Sequence, residues 1–195
     1  MSLRHPVART VKKCTLTLCT LFLSYFLHGQ TARGEFIQAS IGYGMSAPYD
    51  DVDILGDGFY AQGEYVLNLK SWLSLRPYAG VILVKTSDKN SMQREAGYEI
   101  SANAFLLGGK ARVIAPIPWV APYVEGGIGT SLGSFVTNTG YTDLKKSGML
   151  WHIPFSFGLL VGRHHNFDIG FVYYFHPSAE QYSGAFAVGM SFALD

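Results

Sequence analysis

The sequence of 195 residues has little cysteine, no strong excess of charge of one sign and few long apolar runs. Its two cysteines, Cys14 and Cys19, both lie near the N-terminus, so the rest of the chain forms no disulfide and has no thiol chemistry. Beyond residue 30, no apolar run is long and uncharged enough to cross a membrane as a helix. Lysine and arginine form no basic stripe, which argues against a nucleic-acid partner.

The first 30 residues have the organisation of a secretory signal peptide. Four basic residues precede the apolar run 14–27, and small or polar residues follow it. The run is shorter than a membrane-spanning helix requires. We therefore expect residues 1–30 to be a signal peptide and residues 31–195 to form one exported domain. Removal of the signal peptide leaves 11 Lys+Arg and 14 Asp+Glu, so the net charge of the remaining chain is −3.

Apolar and polar residues alternate along most of the chain after residue 30, which is the pattern of β-strands. A helical period of 3.6 residues is almost absent there. Each alternating run has about the length that a tilted strand needs to cross a bilayer. The pattern predicts eight strands, at residues 37–45, 59–69, 73–83, 105–113, 120–132, 151–161, 167–176 and 186–192.

The connections between the predicted strands alternate between long and short, which is typical of outer-membrane barrels. Long polar segments occur at 46–58, 85–98 and 133–148, and tight turns occur at 70–72, 115–118 and 163–166. An even number of strands places both chain ends on the side of the tight turns. We expect the three long segments to be extracellular loops, through which an extracellular partner would bind.

The bulkier of the two alternating sets is rich in Phe, Tyr, Trp, Leu and Ile, and the other set is rich in Gly, Ala and Ser. An eight-stranded barrel has an interior that is just wide enough for side chains to fill. The bulky set is therefore expected outside, where it would face lipid. The predicted fold is an all-β, eight-stranded antiparallel up-and-down transmembrane barrel, which leaves no strand edge unpaired in hydrocarbon.

Three segments carry a resemblance to a known group of proteins. LSLRPYAGVIL at 73–83, WVAPYVEGGIG at 119–129 and GAFAVGMSF at 184–192 resemble strands of the small OmpA/OmpX-like outer-membrane β-barrels. The resemblance covers the whole chain after the signal segment and lies in pattern and architecture. It implies an integral protein of a Gram-negative outer membrane that contacts membrane lipids and has a structural or surface-interaction role.

Charged residues in the inward set predict a polar cluster in the lumen. Buried charges must pair, so we expect a closed network that plugs the barrel. The alternative is a narrow, porin-like channel, which the width of eight strands disfavours. The predicted network contains Glu64, Arg76, Lys110, Arg112, Glu125 and Asp168.

The sequence His176-Pro177-Ser178 resembles the His-x-Ser motif of the lipid A deacylases, which are also eight-stranded outer-membrane barrels. This resemblance implies an esterase in which Ser178 is the nucleophile, His176 the base and Glu180 the orienting carboxylate. Ala179 stands where that family has Asn, the last predicted strand has no Glu, and His176 belongs to the inward set. We therefore favour a non-catalytic hairpin and keep the esterase as the alternative.

The remaining histidines and tryptophans of the turns predict no further chemistry. His164 and His165 are adjacent, and neighbours on a strand point to opposite faces, so they form a poor metal chelate. We expect them in a solvated turn, and we expect no metal or cofactor. Trp72 and Trp119 sit at tight turns, where interfacial aromatic residues of membrane barrels belong. The sequence leaves the oligomeric state open.

Overall fold

The structure, a computed structural model, describes residues 34–50, 52–87, 92 and 95–194. These residues form eight strands that join in sequence order into a closed barrel, with β8 pairing back onto β1. All neighbouring strands are antiparallel, so the predicted fold is confirmed. The strands are β1 Glu35–Pro48, β2 Gly56–Lys70, β3 Leu73–Thr86, β4 Glu99–Ile114, β5 Val120–Asn138, β6 Asp143–Val161, β7 Phe167–His176 and β8 Gln181–Leu194.

The predicted signal peptide, 1–30, lies outside the described residues. Across the part of the chain that the structure describes, no helix is both long and apolar enough to traverse a membrane. One short 3₁₀ turn, Pro177–Ala179, connects β7 to β8.

The alternation of side chains separates an apolar outer surface from a lumen that holds charged and polar side chains together with buried apolar ones such as Ile82, Val84 and Leu106. On β7, Phe167 and Ile169 are 53% and 42% exposed, whereas Asp168 is 5% exposed. The same alternation runs through the neighbouring strands, so large apolar side chains form a band around the outside of the barrel. An apolar surface of this extent needs hydrocarbon rather than water around it.

Small residues make room for tyrosine rings inside the barrel. A Cβ atom on Gly129 would lie 2.3 Å from the Tyr78 hydroxyl and 2.5 Å from His152 Nε2. A Cβ atom on Gly158 would lie 2.7 Å from the Tyr123 hydroxyl. These contacts explain why glycine occupies the inward set where a ring from another strand crosses the lumen.

The two rims of the barrel differ. The short-turn rim carries the connections 71–72, 115–119 and 162–166, together with the first residue of β1 and the last residue of β8. The opposite rim, called here the long-loop rim, carries the connections 49–55, 87–98, 139–142 and 177–180. Bacterial outer-membrane barrels place their short turns in the periplasm and their longer connections outside the cell.

The prediction of a surface loop at 133–148 is wrong in extent. β5 continues to Asn138 and β6 begins at Asp143, so only residues 139–142 form the turn of a long hairpin. The outer part of β5 is held by β4, with which it pairs as far as Glu99 opposite Asn138. β8 also begins earlier than predicted, at Gln181, and the last connection is therefore tight.

The short-turn rim contains the interfacial residues noted in the sequence. Trp72 and Trp119 are 42% and 63% exposed. His164 is exposed, but the expectation of a solvated turn is wrong for His165. His165 is buried because its ring packs against the 115–119 connection, with Nε2 3.0 Å from the carbonyl oxygen of Ile117.

The first prediction concerns the outer band of apolar side chains. Phe157 points outward and lies opposite Phe171 at the middle of β7, with the ring centroids 5.9 Å apart and the rings tilted by 36°. Phe157→Arg should lower the free energy of unfolding by about 2–4 kcal/mol, because it places a cation at the bilayer midplane. Urea titration of protein refolded into lipid vesicles measures this loss.

Tyr141→Arg is the matched control for that variant. Tyr141 is 85% exposed at the tip of the β5–β6 hairpin, so the same substitution there should change stability by within about 0.5 kcal/mol. Equal stability of the Phe157→Arg and Tyr141→Arg variants would contradict a lipid-facing outer band.

Candidate functional site

The six charged residues that the sequence places in the lumen lie together in the half of the barrel next to the short turns. Each of them is at most 5% exposed. Ion pairs of 2.5–2.8 Å join them in one line of alternating charge, so that three positive and three negative side chains balance. The line runs Arg76, Glu64, Lys110, Glu125, Arg112, Asp168.

Gln38 closes this line into a ring. Its Nε2 donates to Asp168 Oδ2 at 2.8 Å, and its Oε1 accepts from Arg76 Nη2. The seven side chains together are called the charged ring below. Sequence reasoning missed Gln38 because it searched for charge, although Gln38 belongs to the inward set of β1. The available signal was that an inward line of charges needs neutral polar partners at its ends.

Strand register brings the ring residues to one level of the barrel. Gln38 lies opposite Glu64, and Arg112 lies opposite Glu125. Arg76 lies opposite Lys110, and like charges in such a position repel. The repulsion is offset because Glu64 contacts both cations, through Oε2 to Arg76 and Oε1 to Lys110.

Polar and aromatic neighbours satisfy the remaining groups of the charged ring. The Arg112 guanidinium lies 3.6 Å from the centroid of the Tyr123 ring, and the Tyr123 hydroxyl donates to Asp168 Oδ1 at 2.7 Å. Gln62 Nε2 donates to Glu64 Oε1 at 2.6 Å. Buried ion pairs are tolerated only where such additional hydrogen bonds complete their coordination.

A second polar cluster, called here the tyrosine–histidine layer, lies further toward the long-loop rim. Ser131 Oγ is 2.7 Å from His152 Nδ1 and 2.8 Å from His176 Nε2. A hydroxyl both donates and accepts, so one serine serves both rings. The layer consists of Tyr60, Tyr78, Ser131, His152, Tyr174 and His176, and Tyr174 donates to Gln62 at 2.5 Å.

A third group of buried side chains lies near the long-loop rim. Gln181 Nε2 donates to Ser46 Oγ at 2.5 Å, and Thr137 Oγ1 donates to Gln181 Oε1 at 3.1 Å. Ile54 and Phe135 are each 1% exposed. Between the charged ring and the next layer, the lumen has a cavity of ≈ 10 Å³, which is room for about one water molecule. On the short-turn side of the ring, a larger cavity of ≈ 50 Å³ is lined by residues that include Gln38, Arg76 and His165.

The structure does not bring the candidate triad together. His176 is fully buried and points into the lumen, where its Nε2 contacts Ser131. Ser178 and Glu180 are exposed at the rim, because Pro177 starts a 3₁₀ turn that carries the chain over the rim into β8. Among the described residues, no hydrogen bond joins His176 to Ser178 or Glu180.

No grouping of three or more His, Cys, Asp or Glu side chains suited to a metal ion occurs in the described ranges. The carboxylates of the charged ring are fully engaged by cations and hydrogen-bond donors. The ring therefore provides ion pairing, and its carboxylates are not free to bind a metal ion.

Known proteins with the same architecture were found by structure. No family model and no curated protein sequence matches the chain. Neisserial surface protein A matches with a TM-score of 0.58 and 14% identity, over 83% of this chain and 97% of that chain. The chain has the fold of the small outer-membrane β-barrels.

Two further solved barrels match over similar lengths. The N-terminal barrel domain of Pseudomonas aeruginosa OprF has a TM-score of 0.48 and 12% identity, over 82% of this chain and 98% of that chain. The outer membrane enzyme PagL has a TM-score of 0.43 and 12% identity, over 82% of this chain and 99% of that chain. At these identities the likeness is one of fold.

The second prediction concerns the contribution of the charged ring to stability. Glu125→Gln should lower the free energy of unfolding by about 3–5 kcal/mol, because it leaves Lys110 and Arg112 with uncompensated buried charge. Urea titration of the folded barrel in detergent measures the change. Glu99→Gln, at the exposed start of β4, is the matched control and should change stability by within about 0.5 kcal/mol.

A paired variant separates loss of charge balance from loss of packing. Lys110→Met combined with Glu125→Gln restores the balance of charge and should recover part of the stability that Glu125→Gln loses. Identical losses for Glu125→Gln and Glu99→Gln would show that the ring does not hold its charges in a dry interior.

Proposed function

We propose that the protein is a non-conducting barrel of the outer membrane, sealed by the charged ring, which strengthens the membrane and holds interaction surfaces at the cell exterior. The observation that carries this proposal is the unbroken line of ion pairs from Arg76 to Asp168, closed by Gln38. A sealed lumen leaves the outer band and the long-loop rim as the surfaces that other molecules reach.

The energetics of the charged ring support a closed lumen. An ion that crossed the ring would have to separate buried ion pairs, and each charge left unpaired in a dry interior costs several kcal/mol. The tyrosine–histidine layer and the third buried group, in which Gln181 binds Ser46 and Thr137, form two further hydrogen-bonded layers across the lumen. A barrel of eight strands is also the narrowest of the membrane barrels, and its own side chains fill its interior.

The outer band and the fold support an outer-membrane location. The band of large apolar side chains encircles the barrel, and the architecture matches the small outer-membrane barrels. In this location, short turns face the periplasm and the β5–β6 hairpin faces the exterior. The hairpin projects polar and charged residues there, including the exposed Lys145 and Lys146.

Conductance measurements test the sealed lumen. The refolded protein in planar lipid bilayers should show no stable channel steps, because three layers of side chains close the lumen. A porin refolded and inserted by the same procedure is the positive control. Reproducible single-channel steps from the wild-type protein would establish the narrow pore and overturn the sealed barrel.

The second candidate function is a lipid A deacylase-like esterase, which the sequence His176-Pro177-Ser178 favours. Such an enzyme needs the histidine within hydrogen-bond reach of the nucleophile, a carboxylate on its other nitrogen and a site that faces lipid. In the structure, His176 contacts Ser131 instead, and that serine is itself fully buried. The geometry therefore supports the sealed barrel better than the esterase.

Lipid analysis gives a prediction that separates these two functions. Expression of the wild-type protein should leave the number of acyl chains on lipid A unchanged, and the Ser178→Ala variant should behave in the same way. Mass spectrometry of extracted lipid A measures this. Loss of an acyl chain with the wild type, abolished in Ser178→Ala, would establish the esterase.

A further inference from the structure

The outer end of β6 has a strand neighbour on one side only. β6 pairs with β5 along its whole length, from Asp143 to Val161. Its pairing with β7 begins only at Ile153, opposite Phe175, because β7 ends at His176 and the chain turns into β8. Residues 143–151 therefore have no ladder partner on this side, although the 3₁₀ turn Pro177–Ala179 lies against β6. They are called here the free edge of β6.

The free edge is open to solvent on both faces. Every residue from Lys145 to Met149 is exposed, although neighbouring residues of a strand point to opposite sides. Every second residue of such a strand directs its N–H and C=O toward the missing neighbour, which makes the edge a template for another strand. The register with β5 is unshifted here, so no bulge turns the edge away.

We propose that the free edge of β6 binds an extended, acidic segment of a partner protein, which adds to the barrel wall as a strand antiparallel to β6. This inference rests on the proposed function, which places the hairpin outside the cell. The slot continues the line of β7, so a strand that runs in the direction of β7 fills it with the pairing that the rest of the barrel uses.

The edge carries two adjacent positive charges, Lys145 and Lys146, and one negative charge, Asp143, at its outer end, and the lysines define the partner. Lys145 and Lys146 are adjacent and project to opposite faces, so two adjacent acidic residues of an added strand would each meet one of them. Met149, 68% exposed, lies on the same face as Lys145. In antiparallel register, the partner therefore carries a bulky apolar residue followed, three and four positions later, by two acidic residues.

A second copy of the chain fits this edge poorly. Two barrels inserted in the same direction are related by a twofold axis along the membrane normal, so their β6 strands would run in parallel. Such a pairing would also bring Lys145 and Lys146 of one copy toward the same lysines of the other. Charge and direction thus favour an acidic strand from a different protein.

A designed peptide tests the proposal directly. The probe is a fluorescent peptide of sequence Thr-Val-Thr-Leu-Thr-Val-Glu-Glu-Thr-Val-Thr, titrated with the full barrel in lipid nanodiscs and followed by anisotropy. We expect saturable binding that weakens with added salt. Lys145→Glu combined with Lys146→Glu should weaken binding by about tenfold or more. A peptide with Lys-Lys in place of Glu-Glu should restore binding to that variant.

Two controls separate strand addition from general charge attraction. Lys85→Glu reverses an exposed charge on the same rim and should leave peptide affinity unchanged. N-methylation of alternate peptide residues, on the edge that faces β6, should abolish binding because it removes the backbone donors. No binding by the wild type, equal weakening by Lys85→Glu, or undiminished binding of the methylated peptide would each overturn the proposal.

The sidedness of the hairpin is measured separately, so that failure of the proposed function is distinguishable from failure of this inference. Trypsin added to intact cells should cut the free edge after Lys145 or Lys146. Cleavage without peptide binding would refute strand addition and leave the surface-exposed barrel standing. Protection of these lysines on intact cells, with cleavage in opened cells, would overturn the proposed orientation and this inference with it.

Discussion

The radius of an eight-stranded barrel is the constraint on which the rest of this structure depends. A lumen of that width is filled mostly by side chains, so most polar groups inside it need a protein partner, and the hydroxyls of Ser74 and Ser156 and Nδ1 of His176 are the exceptions among the described residues. The charged ring meets this demand by alternating three bases and three acids from five strands and by using Gln38 to join the ends. This arrangement of charges also helps to fix the register of the strands, because a shift of register would separate the ion pairs.

The same constraint explains the inverted distribution of residue size. Most large aromatic and aliphatic side chains lie outside, where lipid imposes no limit on their volume, and the inward set combines glycine, alanine and serine with a smaller number of large side chains such as Tyr60, Tyr174 and Leu106. Glycine is needed where a ring crosses the lumen, as at Gly129 beside Tyr78 and His152. The composition of each strand therefore reflects the space available on its two faces more than any intrinsic preference for the strand conformation.

Most of the fold was predictable from the sequence because period-two alternation is strong wherever a strand crosses lipid, as along β7. The alternation also assigned Glu64, Asp168 and the other charged residues to the inward set. It did not reveal which side chains meet, since contacts across the lumen depend on register and on neutral partners such as Gln38 and Ser131. The sequence predicts a loop at the outer halves of β5 and β6, because strands that stand above the membrane need no apolar face and Gly, Ser, Thr and Lys replace the alternating pattern there.

The polar network of the lumen and the free edge of β6 occupy different parts of a single strand. From Ile153 to Val161, β6 lies between β5 and β7 and lines the buried layers of the lumen. From Trp151 to Asp143, β5 is the one strand that pairs with β6, the turn Pro177–Ala179 lies against β6, and the side chains from Lys145 to Met149 are exposed on both faces. A strand added to that edge would satisfy backbone groups that water satisfies in its absence, while the ion pairs of the charged ring stay unchanged. Recognition at the surface therefore requires no opening of the barrel, and a rigid wall lowers the ordering cost of binding because one of the two strands is already in place.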